Sequence, residues 1–235
     1  ARPPLGALVT ALGGCAAAGG AAVALLHHQA GSALHLGVTV AGGLIGCISL
    51  TGSVIAWAKL DGRMRNPIRF TGQRPFNALV FTATVLLGVM TVVAGIQGSE
   101  YAGLYGGLFF LGALFFGLCM TVPIGGADMP VVISLYNAFT GLAGGLEGYV
   151  MADPALMIAG MVVGSAGTLL TVLMAKAMNR SIANVLFSNF GATSTAAAGP
   201  QGNMKSVDAA DAATTMRYAA SVIIIPGYGL AVAQA

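Results

Sequence analysis

The stretch Gly125-Gly126-Ala127-Asp128-Met129-Pro130-Val131-Val132-Ile133-Ser134-Leu135-Tyr136-Asn137 sets a carboxylate at the mouth of an apolar helix and a carboxamide about two turns inside it. Polar groups in a bilayer are costly and face a cavity, a partner helix or an ion path. Asp128 precedes Pro130, which suits a first helical turn because proline has no N–H to leave unpaired. Asp128 is then either a helix cap favoured by the dipole or a proton-exchanging group at the entrance of a path. Asn137, about 10 Å beyond Pro130, is either interhelical glue or a member of a proton or water path. Ser53 lies six residues before Lys59, at a comparable depth from the same face, with Thr51 close by. A hydroxyl alone in a membrane helix more often bonds back to its own backbone. Thr10 carries the same two readings.

The elements that must hold these groups are membrane helices. The chain is 57% hydrophobic and 7% charged, and no Lys, Arg, Asp or Glu occurs from Pro3 to Ala58, Pro75 to Ser99, Tyr101 to Ala127, Met129 to Leu146 or Pro154 to Ala175. A spanning helix needs about 20 apolar residues. These windows predict six spans, near Leu5–Leu26, Leu36–Ala58, Phe76–Ile96, Ala102–Val122, Pro130–Val150 and Ala155–Met174. The first window breaks at the polar run His27-His28-Gln29-Ala30-Gly31-Ser32. None of the spans reads as a cleavable signal peptide, being too long and, for the first, lacking a basic leader. His27, His28 and His35 sit at the predicted surface, so a proton crossing here is taken by Asp128, another acid or a group from another chain.

Charge is distributed by side. With six spans, Arg2, Lys59, Arg63, Arg65, Arg69, Arg74, Lys176, Arg180, Lys205 and Arg217 all fall on the side of the termini. The other side carries Glu100 and Asp153, with Glu147 close to it. Positive-inside asymmetry places both ends of the chain in the cytoplasm or its equivalent. Topogenesis accounts for the Arg63–Arg74 cluster, which removes the reason to expect nucleic acid as a partner. Cys15, Cys47 and Cys119 stand singly in the spans and read as small buried thiols, neither a disulfide framework nor a metal site.

Composition changes near Arg180. Residues 188–207 are small, polar and Gly-rich and read as a linker, after which Ser206 is expected to cap a short helix through Ala219. Ser221 to Ile225 reads as a buried strand, closed by Pro226-Gly227-Tyr228-Gly229, with Val232 in the third small position of a dinucleotide-type turn. One strand and a turn make no domain, so the chain is expected to be a piece of a longer or split polypeptide. Gly141 with Gly145, Gly144 with Gly148, and Gly160 with Gly164 have the spacing that lets helix backbones approach in lipid. The expected fold is an all-α polytopic membrane bundle of six helices (1–180), a linker with a short helix (181–220) and the first strand and turn of a truncated Rossmann-like domain (221–235).

The runs GADMPVVISLYNAFTGL, VVGSAGTLLTVLMAKAMNRSIANVLFSNFG and SVIIIPGYGLAVAQA, with Leu50–Leu60, resemble the β subunit of proton-translocating NAD(P) transhydrogenase from about residue 35 to the end. The resemblance implies coupling of hydride transfer from NADH to NADP⁺ with proton movement across a bacterial or mitochondrial inner membrane. It places Asp128 and Asn137 on the family's polar pair, Ser53 on its channel serine, and Gly167 and Arg180 near the hinge to the nucleotide domain. Gly227, Gly229 and Val232 fall on the NADP(H) fingerprint. Thr10 stands where members often carry a membrane histidine, so a partner is expected to supply one. The implied partners are an NAD(H)-binding α subunit with its membrane helices and a second copy of the whole assembly. NADP(H) is expected in the complete protein, NAD(H) on the partner domain, and neither on this stretch, which by itself is not expected to be catalytic. The rival class, a non-catalytic transporter or scaffold subunit, fits polar spans and glycine packing but offers no reason for the GYG turn.

Overall fold

The computed structural model describes residues 3–27, 32–64, 72–178, 182 and 208–222. The chain divides into two compact units, Ala1–Thr193 and Ser194–Ala235. The described part of the first holds α1 (Pro3–His27), α2 (Ala33–Leu60), α3 (Gln73–Ile96), α4 (Ala102–Thr121), α5 (Met129–Val150) and α6 (Pro154–Ala177). A single 3₁₀ turn, Gly126–Asp128, leads into α5. All six helices are long and apolar enough to cross a membrane. They occupy the six predicted windows, each starting and ending within three residues of expectation.

The helix ends are written in local chemistry. Ser32 accepts a hydrogen bond from His35 N (3.3 Å) to open α2, and Asp153 accepts from Ala155 N and Leu156 N (2.9 and 3.2 Å) to open α6, with Pro154 in the first turn. At the other end of α2, Arg63 stacks over Trp57, 4.8 Å from the ring centroid, as residues at a membrane–water boundary do.

Helices consecutive in the chain alternate in direction, and α2 is the hub, packed against α1, α3, α4 and α5. All helices therefore share two ends: a basic end with Lys59 and Lys176, and an acidic end with Glu100 and Asp153. In lipid there is no water to expel between helices, so close packing and small residues must hold them together. The α5–α6 seam is the clearest case. A Cβ on Gly141 would lie 2.5 Å from Gly164 N, one on Gly160 would lie 2.7 Å from Gly141 O, and one on Gly167 would lie 2.9 Å from Ala138 Cα. The expected pairs Gly141–Gly145 and Gly160–Gly164 thus face each other, as does Gly148 against Met157. Gly144 is the exception, since the space beside it is open.

The core joins Tyr136, Met129, Val131 and Val132 of α5 to Ile48 and Ala56 of α2, Met120 of α4 and Ala175 of α6. Outward, the bundle shows Leu79 and Leu86 of α3, Leu111 of α4 and Leu169 of α6, an apolar coat suited to lipid. Of the three cysteines expected to be buried, Cys47 is buried and Cys119 half-buried, but Cys15 is exposed.

In the second unit α7 spans Ala209–Tyr218, with Asp211 in its first turn and Arg217 in its last. Its cap is Asp208, which accepts from Ala209 N at 2.7 Å, two residues later than the Ser206 expected. Ser221 and Val222 are not in a strand, and the rest of the expected strand and turn lies outside the described residues.

Candidate functional site

Polar side chains inside the bundle gather on three helices around Tyr136, which is fully buried. Thr121, the last residue of α4, donates to Gly117 O at 2.8 Å. That uses its single proton, so the 2.5 Å contact between the two hydroxyls is a bond that Tyr136 Oη donates to Thr121 Oγ1. A Cβ on Gly52 of α2 would lie 2.8 Å from the same Tyr136 oxygen, so glycine there makes room for the phenol.

One turn further into α5 a second group forms. Ser49 Oγ is 2.9 Å and Thr140 Oγ1 3.0 Å from Tyr136 O, and the two hydroxyl oxygens are 2.5 Å apart. Three contacts share two protons, so the pair has more than one way to place them. Ser134 and Thr171, with oxygens 3.0 Å apart, extend the seam to α6. From Thr121 to Thr140 the hydroxyls run from the basic end to about the middle of the membrane-spanning length, roughly 16 Å along α5 from Met129.

Ser53 lies one turn from Ser49 on the same face of α2, towards the basic end. It is fully buried, and among the described residues its Oγ has no hydrogen-bond partner. Thr51, by contrast, bonds back to Cys47 O at 3.0 Å. A buried hydroxyl that does not bond back calls for water or a ligand group. Ser53 therefore belongs with the seam. Thr10 does not, since it is spent on Gly6 O at 3.1 Å.

Asp128 is 5% exposed and stands in the N-cap position of α5, yet its carboxylate makes no capping hydrogen bond. Its backbone is already helical there, with φ −89° and ψ −6°, which is not the extended geometry a side-chain cap uses. Asn137 is on the exposed face of α5, rotated away from the seam. The structure thus puts Ser53 beside the seam, keeps Asp128 at the basic mouth of α5 and turns Asn137 outward. Gly167 is a packing residue against Ala138, next to Asn137. Arg180, Gly227, Gly229 and Val232 lie outside the described residues.

Sequence reasoning missed Tyr136, Thr140, Ser49 and Thr121. The signal was present as four-residue spacing, Ser49 with Ser53 on α2 and Tyr136 with Thr140 on α5, which puts each pair on one face. It also missed a second use of Lys59. Its Nζ donates to Thr121 O, Val122 O and Ile124 O at 2.9, 2.6 and 2.7 Å, closing the C-terminal end of α4 with three protons for three carbonyls.

Six apolar helices around a buried group of hydroxyls define a multi-pass membrane protein. The chain belongs to the NAD(P) transhydrogenase beta subunit family, whose pattern it matches over residues 1–235. It is 43% identical over 248 aligned residues to a curated relative named NAD(P) transhydrogenase subunit beta from Rhodospirillum rubrum, covering 100% of this chain and 52% of that protein. The same-named protein of Rhodospirillum rubrum strain ATCC 11170 matches with the same identity and coverage. The chain spans about half the length of the curated relatives it matches.

Proposed function

We propose that this chain is the membrane, proton-conducting part of an NAD(P) transhydrogenase, in which hydride transfer from NADH to NADP⁺ is coupled with proton translocation. The observation that carries the reading is Ser53, a fully buried hydroxyl without a partner among the described residues, beside the Tyr136–Ser49–Thr140 group in a chain of this family. In this reading residues 1–180 form the proton-translocating domain, 181–220 a linker with a short helix, and 221–235 the start of the NADP(H)-binding domain. Gly227, Gly229 and Val232 would approach the NADP(H) pyrophosphate, and Gly167 and Arg180 sit towards the hinge.

The hydroxyls move protons, and Asp128 exchanges them at the basic mouth. Hydride passes between nicotinamides outside the membrane, one on this polypeptide and the other, NAD(H), on an α subunit. That α subunit also covers the outward face of α5 with its own helices and brings a partner to Asn137. Two such assemblies form the enzyme, in a bacterial or mitochondrial inner membrane with the basic end on the cytoplasmic or matrix side. Proton occupancy and position of the nucleotide domain are then two linked states of one equilibrium.

The test is nucleotide-driven proton uptake in proteoliposomes holding the full-length protein with its partner subunit. Ser53→Ala and Asp128→Asn are expected to suppress hydride transfer and proton uptake together, and Asn137→Ala to do so without destabilising this chain. Survival of both activities in all three variants overturns the reading.

A further inference from the structure

Glu147 has no part in the seam described so far. It lies on α5 one turn before the helix ends and is 9% exposed. Among the described residues its Oε1 has no hydrogen-bond partner. Its carboxylate is set against Gly20 of α1, where a Cβ would come within 2.8 Å of both Cδ and Oε2. Any residue but glycine at position 20 would displace the carboxylate.

The same arrangement recurs deeper by seven residues on both helices. Thr140 is set against Gly13, where a Cβ would lie 2.6 Å from Thr140 Cγ2. The two helices run parallel, so Gly13 and Gly20 on α1 face Thr140 and Glu147 on α5 in register. Tyr136, Thr140 and Glu147, at four- and seven-residue spacing, therefore form one inward stripe. Between Thr140 and Glu147 the stripe advances about 10 Å. Ala143 and Gly144 lie on that stretch, and no atom comes within 4 Å of a Cβ placed on Gly144. Water entering the open space beside Gly144 would carry hydrogen bonds across the gap through two or three molecules about 2.8 Å apart.

Among the described residues no ion pair reaches the carboxylate, and His27, seven residues beyond Gly20, ends α1 at the acidic end about 10 Å further along the helix. No Lys or Arg occurs from residue 75 to 175, and Lys59, Arg63 and Lys176 are at the basic end. Of the titratable groups on the helices packed around α5, Asp153 of α6 is exposed and spent on helix capping. Cys15 of α1 is exposed and about 7 Å deeper along its helix. On α2, His35 stands at the acidic end, and Cys47 is buried deeper with Ala18 and Ala113. Tyr149 on α5 itself is exposed. An acid kept within a membrane helix, bonded to the Ala21 backbone, without a counter-ion among the described residues and facing the interior, is the pattern of a proton relay.

We propose that Glu147 is a proton-binding group of this chain, the carboxyl that exchanges protons between the acidic end of the bundle and the Thr140–Ser49–Tyr136 hydroxyls. The step is a proton passed between a carboxylate oxygen and water, and no other bond changes. The inference rests on the proton-path reading above and adds to it a titrating group that the hydroxyls lack.

Infrared difference spectroscopy of the full-length protein with its partner subunit, titrated with pH, reads the carboxyl directly. A protonated-carboxyl C=O band is expected to titrate in the wild type, to vanish in Glu147→Gln and to change its midpoint in Gly20→Ala, which keeps the acid but crowds it. In proteoliposomes Glu147→Gln should cut proton uptake at least tenfold and Glu147→Asp restore part of it. If the band persists in Glu147→Gln, or if that variant takes up protons at the wild-type rate while Ser53→Ala does not, the assignment to Glu147 is overturned and the proton path stands. If the wild type takes up no protons, the path reading falls, and the band alone decides whether Glu147 binds a proton.

Discussion

Replacing Gly160 by alanine tests the α5–α6 seam that holds Ser134 next to Thr171. The new Cβ would collide with the backbone N and Cα of Gly145 and lie 2.7 Å from Gly141 O. Backbone atoms cannot rotate away as a flexible side chain would. To recover a normal separation of about 3.5 Å, the two helices must part by about 1 Å, and a gap of that size forfeits roughly a quarter to a half of each neighbouring dispersion contact. Overpacking of this kind costs about 1–3 kcal/mol, and the rigid obstacle puts Gly160→Ala at the upper end. Removing a glycine from a helix returns about 1 kcal/mol, so the net loss is about 2 kcal/mol. Gly144→Ala is the internal control, because the space beside Gly144 is open. It should gain up to about 1 kcal/mol from the same helix propensity. The two variants are thus expected to differ by about 3 kcal/mol in opposite directions from wild type. Denaturant unfolding of the complete protein in detergent measures this. A Gly160→Ala protein as stable as wild type, or a Gly144→Ala protein as weakened as Gly160→Ala, would refute the seam.

Lys59→Met leaves the carbonyls of Val122 and Ile124 without their lysine donor, at about 1 kcal/mol each, while Thr121 O keeps its bond from Ile124 N, so the thermal midpoint should fall by an amount equivalent to about 2 kcal/mol. An unchanged midpoint would mean that Lys59 serves topology alone. Ser49→Ala should cost under about 1 kcal/mol, because Thr140 still donates to Tyr136 O, yet it removes the alternative proton placement. A clear loss of nucleotide-driven proton uptake with near-normal stability is expected. Normal uptake would show that the hydroxyl group around Tyr136 O is structural.

The six spans and their alternation were legible in the sequence because a membrane imposes a length of about 20 apolar residues and the basic residues sort to one side of it. Glycine spacing marked the fifth and sixth spans as able to approach another helix closely, since close approach in lipid requires small residues at regular intervals, but not which helix each would meet. The same spacing could not say that Gly144, which shares it, would face open space, because that depends on the rotation of α5 against α6. Rotation also decided the fate of the polar residues. Asn137 and Tyr136 are neighbours in sequence, and a helix turns them about 100° apart, so one faces outward and the other anchors the seam. Cys15 turned outward for the same reason.

Residue types and spacing by themselves determined that this chain is a membrane bundle and where its helices begin and end. Only the tertiary structure decided which of its polar groups meet. It brought Ser49, Tyr136 and Thr140 together from two helices more than eighty residues apart and left Ser53 buried beside them. It also set Glu147 against a glycine of α1. The physical reason is that periodicity defines a helix's faces, whereas the partner of each face depends on packing summed over all six helices.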